Sequence, residues 1–147
     1  MARNYKQGIY QVKNWEKYIG TNNPTYRSEW EQYVFEWADR NKNILKWGAE
    51  VVVVPYYNEV KGRKARYIVD VYLEYLDKEG NLQKDLVEIK PYNQTLPPKR
   101  GKKRKDVYDH EVLTWIQNNC KWKEAQKYAS ERGWNFRIIT ENSIFKG

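Results

Sequence analysis

Residues 64–90 leave this chain the least freedom of folding. The stretches "KARYIVDVYLEYL" (64–76) and "LQKDLVEIK" (82–90) are rich in β-branched, aromatic and alternating residues, and "DKEGN" between them is a turn signal. A period of two puts Val69, Val71, Leu73 and Tyr75 on one face of the first stretch and Asp70, Tyr72 and Glu74 on the other. The two stretches are therefore predicted to pair as an antiparallel hairpin. In the second, Val87 and Ile89 point into the core while Glu88 and Lys90 share the opposite face, and Pro91 stops the strand. With the hairpin in register, Asp70 projects from that same face. Two carboxylates and an ammonium then converge where apolar side chains would stabilise more.

The flanking sequence supplies the other elements. Residues 1–25 are polar, aromatic and without a clear period, which predicts an extended N-terminal arm. "YRSEWEQYVFEWADRN" (26–41) predicts a helix, with Trp30, Val34, Trp37 and Ala38 at helical spacing and Ser28 with Glu31 as a capping box. "AEVVVVPYY" (49–57) predicts the first strand, its valine run suggesting burial on both faces. Beyond Pro91 comes the Pro- and Lys-rich "TLPPKRGKKRKD", then two predicted helices, "VYDHEVLTWIQNN" and "CKWKEAQKYASERG", the second ended by Gly133. "WNFRIITE" closes the chain as a short strand. Helix, three-stranded meander, helices and strand make a mixed α/β fold, with residues 26–147 as one domain carrying a basic loop at 97–106.

Composition limits the chemistry. A chain of 147 residues with 16% aromatics can bury one real core. The single cysteine, Cys120, excludes an intramolecular disulfide, and with His110 as the single histidine no zinc cluster can form, so any metal must sit on oxygen ligands. The longest valine run, Val51–Val54, is far short of a membrane span and no signal-peptide pattern opens the chain, so a soluble, intracellular protein is expected. The net charge is +8, and Lys99, Arg100, Lys102, Lys103, Arg104 and Lys105 concentrate six positive charges in one loop. Such a run attracts nucleic acid through its phosphates, or serves as a solvated loop that aids solubility.

Two carboxylates at close quarters repel and are costly to desolvate unless a partner is supplied. A divalent cation is such a partner. Magnesium prefers oxygen, so Asp70, Glu88 and the Ile89 carbonyl could hold it, with water and phosphate oxygens completing the shell. Lys90 would then face bound water and phosphate, an arrangement suited to phosphodiester hydrolysis. The alternative is a cross-strand salt-bridge ladder on a solvated face. A second acidic-x-Lys triplet, Glu59-Val60-Lys61, falls in a polar turn where nothing favours a site.

These residues resemble the PD-(D/E)xK nuclease superfamily, with its restriction-endonuclease-like core of helix, three-stranded meander, helix and strand. The chain more closely resembles the head completion nucleases of T4-like tailed phages, relatives of the TnsA-type transposon endonucleases. The similarity runs through "YIGTNNPTYRSEWE", "NILKWGAEVVVVPYY", "RYIVDVYLEY", "LVEIKPYNQTLPPK" and "KWKEAQKYASERGWNFRIITE", and so covers nearly the whole chain. It implies that Asp70, Glu88 and Lys90 are the acidic-acidic-lysine core and that Glu31 is the helix-borne glutamate of the Ser-x-x-Glu motif, a further metal ligand. It also implies that Gln94, four positions past the lysine, contacts phosphate or orients the site. The family usually has proline before the aspartate and an aromatic after it, where this chain has Val69-Asp70-Val71. Glu31 has a second reading as a plain helix cap, and Glu50, at the head of the predicted first strand, is its structural competitor.

The function so implied is a magnesium-dependent DNA endonuclease, with manganese able to substitute, acting on DNA ends or branch points in phage head completion after packaging. Arg27 and the 99–105 cations are the expected DNA-backbone contacts. The expected partners are DNA and the phage portal or neck proteins, with no membrane and no small-molecule cofactor. The expected place is the host cytoplasm during phage assembly, or the virion. Two other readings stay open: a head-completion protein that binds DNA ends without cutting, and a general basic nucleic-acid-binding module.

Overall fold

The computed structural model describes residues 7–144. In chain order these form β1 (Gly8–Ile9), β2 (Thr25–Tyr26), α1 (Glu29–Arg40), β3 (Ile44–Ala49), β4 (Val53–Asn58), β5 (Arg63–Ile68), β6 (Val71–Leu76), β7 (Leu82–Ile89), a 3-10 turn (Tyr92–Thr95), α2 (Lys105–Glu131), β8 (Asn135–Ile139) and the short α3 (Glu141–Ile144). A four-stranded sheet in the order β3-β6-β7-β8 is the centre, its first three strands antiparallel and β8 parallel to β7. The hairpin expected from the alternation is present as β6–β7, with Val71 opposite Val87 and Leu76 opposite Leu82. Helix, meander, helix and strand succeed one another as the sequence implies.

Both faces of the sheet are covered, which explains why β7 is buried continuously from Asp85 to Ile89. On one face Val71, Leu73, Val87 and Ile89 join Val34, Phe35 and Ala38 of α1, Trp47 of β3, and Tyr10 and Val12 of the N-terminal segment. On the other, Tyr72 and Leu86 meet Trp122, Ala125 and Ala129 of α2, together with Val54, Tyr56 and Tyr67 of the β4–β5 hairpin. Residues 7–25 carry little regular structure. They are pinned by buried Asp39 of α1, which accepts the Tyr10 hydroxyl at 2.7 Å and the Lys13 and Asn14 N–H groups at 2.8 and 3.1 Å. Residues 1–6 lie outside the described part.

Three expectations are corrected. The first sheet strand is β3, at 44–49, and not 49–57. Glu50 adopts a left-handed backbone (φ 57°) that ends it, and the chain re-enters as β4, which pairs with β5 outside the central sheet. The valine run is accordingly not buried on both faces: Val53 is 39% exposed while Val54 is fully buried, the alternation of a hairpin lying over α2. The second predicted strand breaks at Val69-Asp70 into β5 and β6. Val69 therefore packs with the α2-side core, apart from Val71 and Leu73. The two predicted helices are one: α2 runs unbroken for 27 residues, because Asn118 is buried on its inner face and Asn119 bonds back to the Trp115 carbonyl at 2.8 Å, so neither stops it.

Candidate active site

The site forms where β5 gives way to β6, at the end of β7. Asp70 lies one residue before β6, beside the Glu88 position on β7. Its Oδ2 accepts the Ile89 N–H at 2.8 Å, which ties the carboxylate to the neighbouring strand. Glu88 is 6% exposed, and its Oε2 accepts the Tyr67 hydroxyl at 3.0 Å. Burial, and then the charge of Glu88, push Asp70 up to about 8. Burial likewise raises Glu88, against the opposing pull of Lys90, the Tyr67 hydrogen bond and Lys121. The charged form of each carboxylate is thus disfavoured.

Lys90, just beyond β7, acts electrostatically on both carboxylates, and so does Glu31. The structure therefore brings Asp70, Glu88, Lys90 and Glu31 into one electrostatic neighbourhood. Glu31 also serves the start of α1: its N–H donates to the Ser28 hydroxyl at 3.2 Å, and its Oε1 accepts the Arg27 N–H at 3.1 Å. Cap and site neighbour are thus combined in one residue. The Arg27 guanidinium pairs with Glu50 at 2.5 Å and feels Glu31 and Asp70 as well, so it stands at the rim of the carboxylate group. Glu50 is tied in a second way, its N–H donating to the Asp70 carbonyl at 3.1 Å.

Gln94 sits in the 3-10 turn and lines a cleft of about 540 Å³ between that turn and α2, with Leu96, His110, Trp115 and Asn118. Of the basic run, Lys103 pairs with Glu111 at 2.7 Å, Arg104 with Asp106 at 2.6 Å and Lys105 with Asp109 at 2.8 Å, all on the first turns of α2. Lys99, Arg100 and Lys102 have no carboxylate partner among the described residues. Sequence reasoning missed Tyr67 and Lys121. Lys121 lies over the Tyr67 ring, its Nζ 5.9 Å from the ring centre. No local pattern marks either residue, since β5 and α2 meet Glu88 only through tertiary packing.

Among the described residues, no group of three or more His, Cys, Asp or Glu side chains is assembled to hold a metal ion. Two adjacent carboxylates, half-buried Asp70 and buried Glu88, both raised by desolvation, nevertheless fit magnesium, which commonly takes one or two carboxylates and completes its shell with water and phosphate oxygens. The donor set that Asp70 and Glu88 offer is all oxygen.

The model for the TnsA-like endonuclease N-terminal domain matches residues 41–141, which contain Asp70, Glu88 and Lys90. The chain is also 40% identical over 152 aligned positions to the head completion nuclease of Enterobacteria phage T4, an alignment covering 95% of this chain and 97% of the relative. No solved structure matches the chain significantly. A restriction-endonuclease-like sheet, an acidic pair with its lysine at the strand ends and these two similarities agree: the chain belongs to the TnsA-like endonuclease family of the PD-(D/E)xK superfamily.

Proposed function

We propose that this protein is a metal-dependent deoxyribonuclease that hydrolyses phosphodiester bonds in DNA during phage head completion, after the genome is packaged. The observation that carries the reading is the pair of half-buried Asp70 and buried Glu88, side by side on neighbouring strands, with Lys90 acting on both. Asp70 and Glu88 would hold Mg²⁺, or Mn²⁺ in its place, with the Ile89 carbonyl and Glu31 as further candidate ligands. When bound, such a cation polarises the phosphate and lowers the pKa of water.

The chain's own groups do the remaining work. The Ile89 N–H and the Tyr67 hydroxyl fix one oxygen each of Asp70 and Glu88, so the carboxylates need little reorganisation during reaction. Lys90 orients the attacking water and offsets the charge that builds on the phosphate oxygens. The water oxygen bonds to phosphorus and its proton passes to solvent, one phosphorus–oxygen ester bond breaks, and the departing oxygen takes up a proton from solvent. Gln94 contacts a phosphate from the 3-10 turn, and Arg27 with the 99–105 loop holds the DNA backbone. Portal or neck proteins would be the partners, in the host cytoplasm during assembly or in the virion.

The test incubates supercoiled and linear DNA with Mg²⁺ or Mn²⁺ and compares wild type with Lys90→Ala and Asp70→Asn. Cleavage by wild type, lost in EDTA and in both variants, is expected. If all three proteins bind DNA and leave it intact, the protein is an end-binding structural component and the nuclease reading fails.

A further inference from the structure

Glu88 has a second cationic neighbour besides Lys90, and it comes from α2. Lys121 sits one residue before buried Trp122, on the half-buried flank of the helix that covers the sheet. Its Nζ lies 5.9 Å from the centre of the Tyr67 ring, and the hydroxyl of that ring donates to Glu88 at 3.0 Å. Tyr67 is therefore the spacer that holds a lysine near the carboxylate without an ion pair. Among the described residues Lys121 makes no salt bridge, unlike Lys103, Arg104 and Lys105. Lys90 acts on both carboxylates, Lys121 on Glu88, so the two ammonium groups serve different parts of the site.

Charge balance gives that placement a purpose. Glu31, Glu50, Asp70 and Glu88 gather round Arg27, Lys90 and Lys121. With a divalent cation bound, the four carboxylates would be outweighed by these three side-chain cations and the metal, leaving the locality able to take a phosphate. With Glu88 engaged, the flexible ammonium of Lys121 is free to turn to an anion. We propose that Lys121 is a DNA-contacting residue of the site, binding a backbone phosphate on the α2 side, and that Tyr67 is the positioning residue that holds it there. This rests on the nuclease reading above.

The test has two readouts. Binding of a short fluorescein-labelled duplex is measured in calcium across a salt series for wild type, Lys121→Gln and Lys121→Arg, and cleavage in magnesium gives KM and kcat. Losing one phosphate contact lowers the log Kd against log salt slope by about one. Lys121→Gln is expected to show that loss with KM raised about tenfold and kcat within about twofold, and Lys121→Arg to restore both. An unchanged slope and KM in Lys121→Gln overturns the proposal, as does a lowered melting temperature with no change in slope. Should Lys90→Ala abolish cleavage while Lys121→Gln matches wild type, only this inference fails. Should wild type not cut at all, the nuclease reading fails, and the salt slope still decides whether Lys121 touches phosphate.

Discussion

At the scale of single residues, the acidic pair sets a conflict between function and stability. Burial and repulsion raise Asp70 and Glu88 in the folded state, so the native protein binds more protons than the unfolded chain from the ordinary carboxylate range up to about 8. Their contribution to stability therefore falls as pH rises through that window. Without divalent metal, melting temperature should drop between acid and mildly alkaline pH, and Asp70→Asn should flatten the slope. At pH 8 in EDTA the variant should melt about 3 °C higher, roughly 1 kcal/mol, because it removes a half-buried charge and keeps an oxygen for the Ile89 N–H. Magnesium at about a hundred times its Kd should stabilise wild type by about 2.7 kcal/mol and Asp70→Asn by little. Differential scanning fluorimetry across pH, with and without metal, reads all three. Asp39 has the opposite sign: burial raises it, but bonds from the Lys13 N–H, the Tyr10 hydroxyl and Asn14 outweigh burial and hold it below its ordinary value. Its stabilisation is present above the ordinary carboxylate pKa and is lost as pH falls through the lowered one. Asp39→Ala should cost about 3 kcal/mol in urea denaturation, since it releases the N-terminal segment from α1.

At the scale of elements, the parts governed by local chemistry are those the sequence makes plain. The Ser28 cap of α1, the β6–β7 hairpin and the end of α2 follow from residues within a few positions of one another. Gly133 takes φ 73° after α2, its N–H bonds the Ser130 carbonyl at 3.1 Å and the Trp134 N–H bonds that of Ala129 at 2.8 Å, while Trp134 packs on Tyr128. Gly133→Ala should therefore destabilise by about 1 kcal/mol, measurable by thermal denaturation, without altering cleavage. The division of strands is not local. Val69 donates its N–H to the Val52 carbonyl and Glu50 donates its own to that of Asp70, so the β3–β4 and β5–β6 transitions brace one another. That brace places Asp70 at the break between two strands, where its carboxylate can reach β7. The uninterrupted alternation of 64–76 carries no sign of it, because both halves remain β-like.

At the scale of the whole molecule, charge and layering decide what reaches the site. The positive charge of the 99–105 loop is only half unpaired: Lys103, Arg104 and Lys105 have carboxylate partners on α2, and Lys99, Arg100 and Lys102 have none among the described residues. Neutralising Lys99, Arg100 and Lys102 together should thus weaken DNA binding and reduce its salt slope by about two to three, more than the same change at Lys103, Arg104 and Lys105, as fluorescence anisotropy would show. The sequence by itself determined the hairpin and put Glu88 and Lys90 on one face of its second strand, because alternation and turn chemistry act between near neighbours along the chain. It also determined which family the chain resembles. Tertiary structure alone decided that Tyr67 and Lys121 attend Glu88, that Arg27 pairs with Glu50, and that 105–131 is one helix. Nothing in the chain's local periodicity links Tyr67, Lys121 and Glu88; they meet because β5 and α2 pack together over the same face of the sheet.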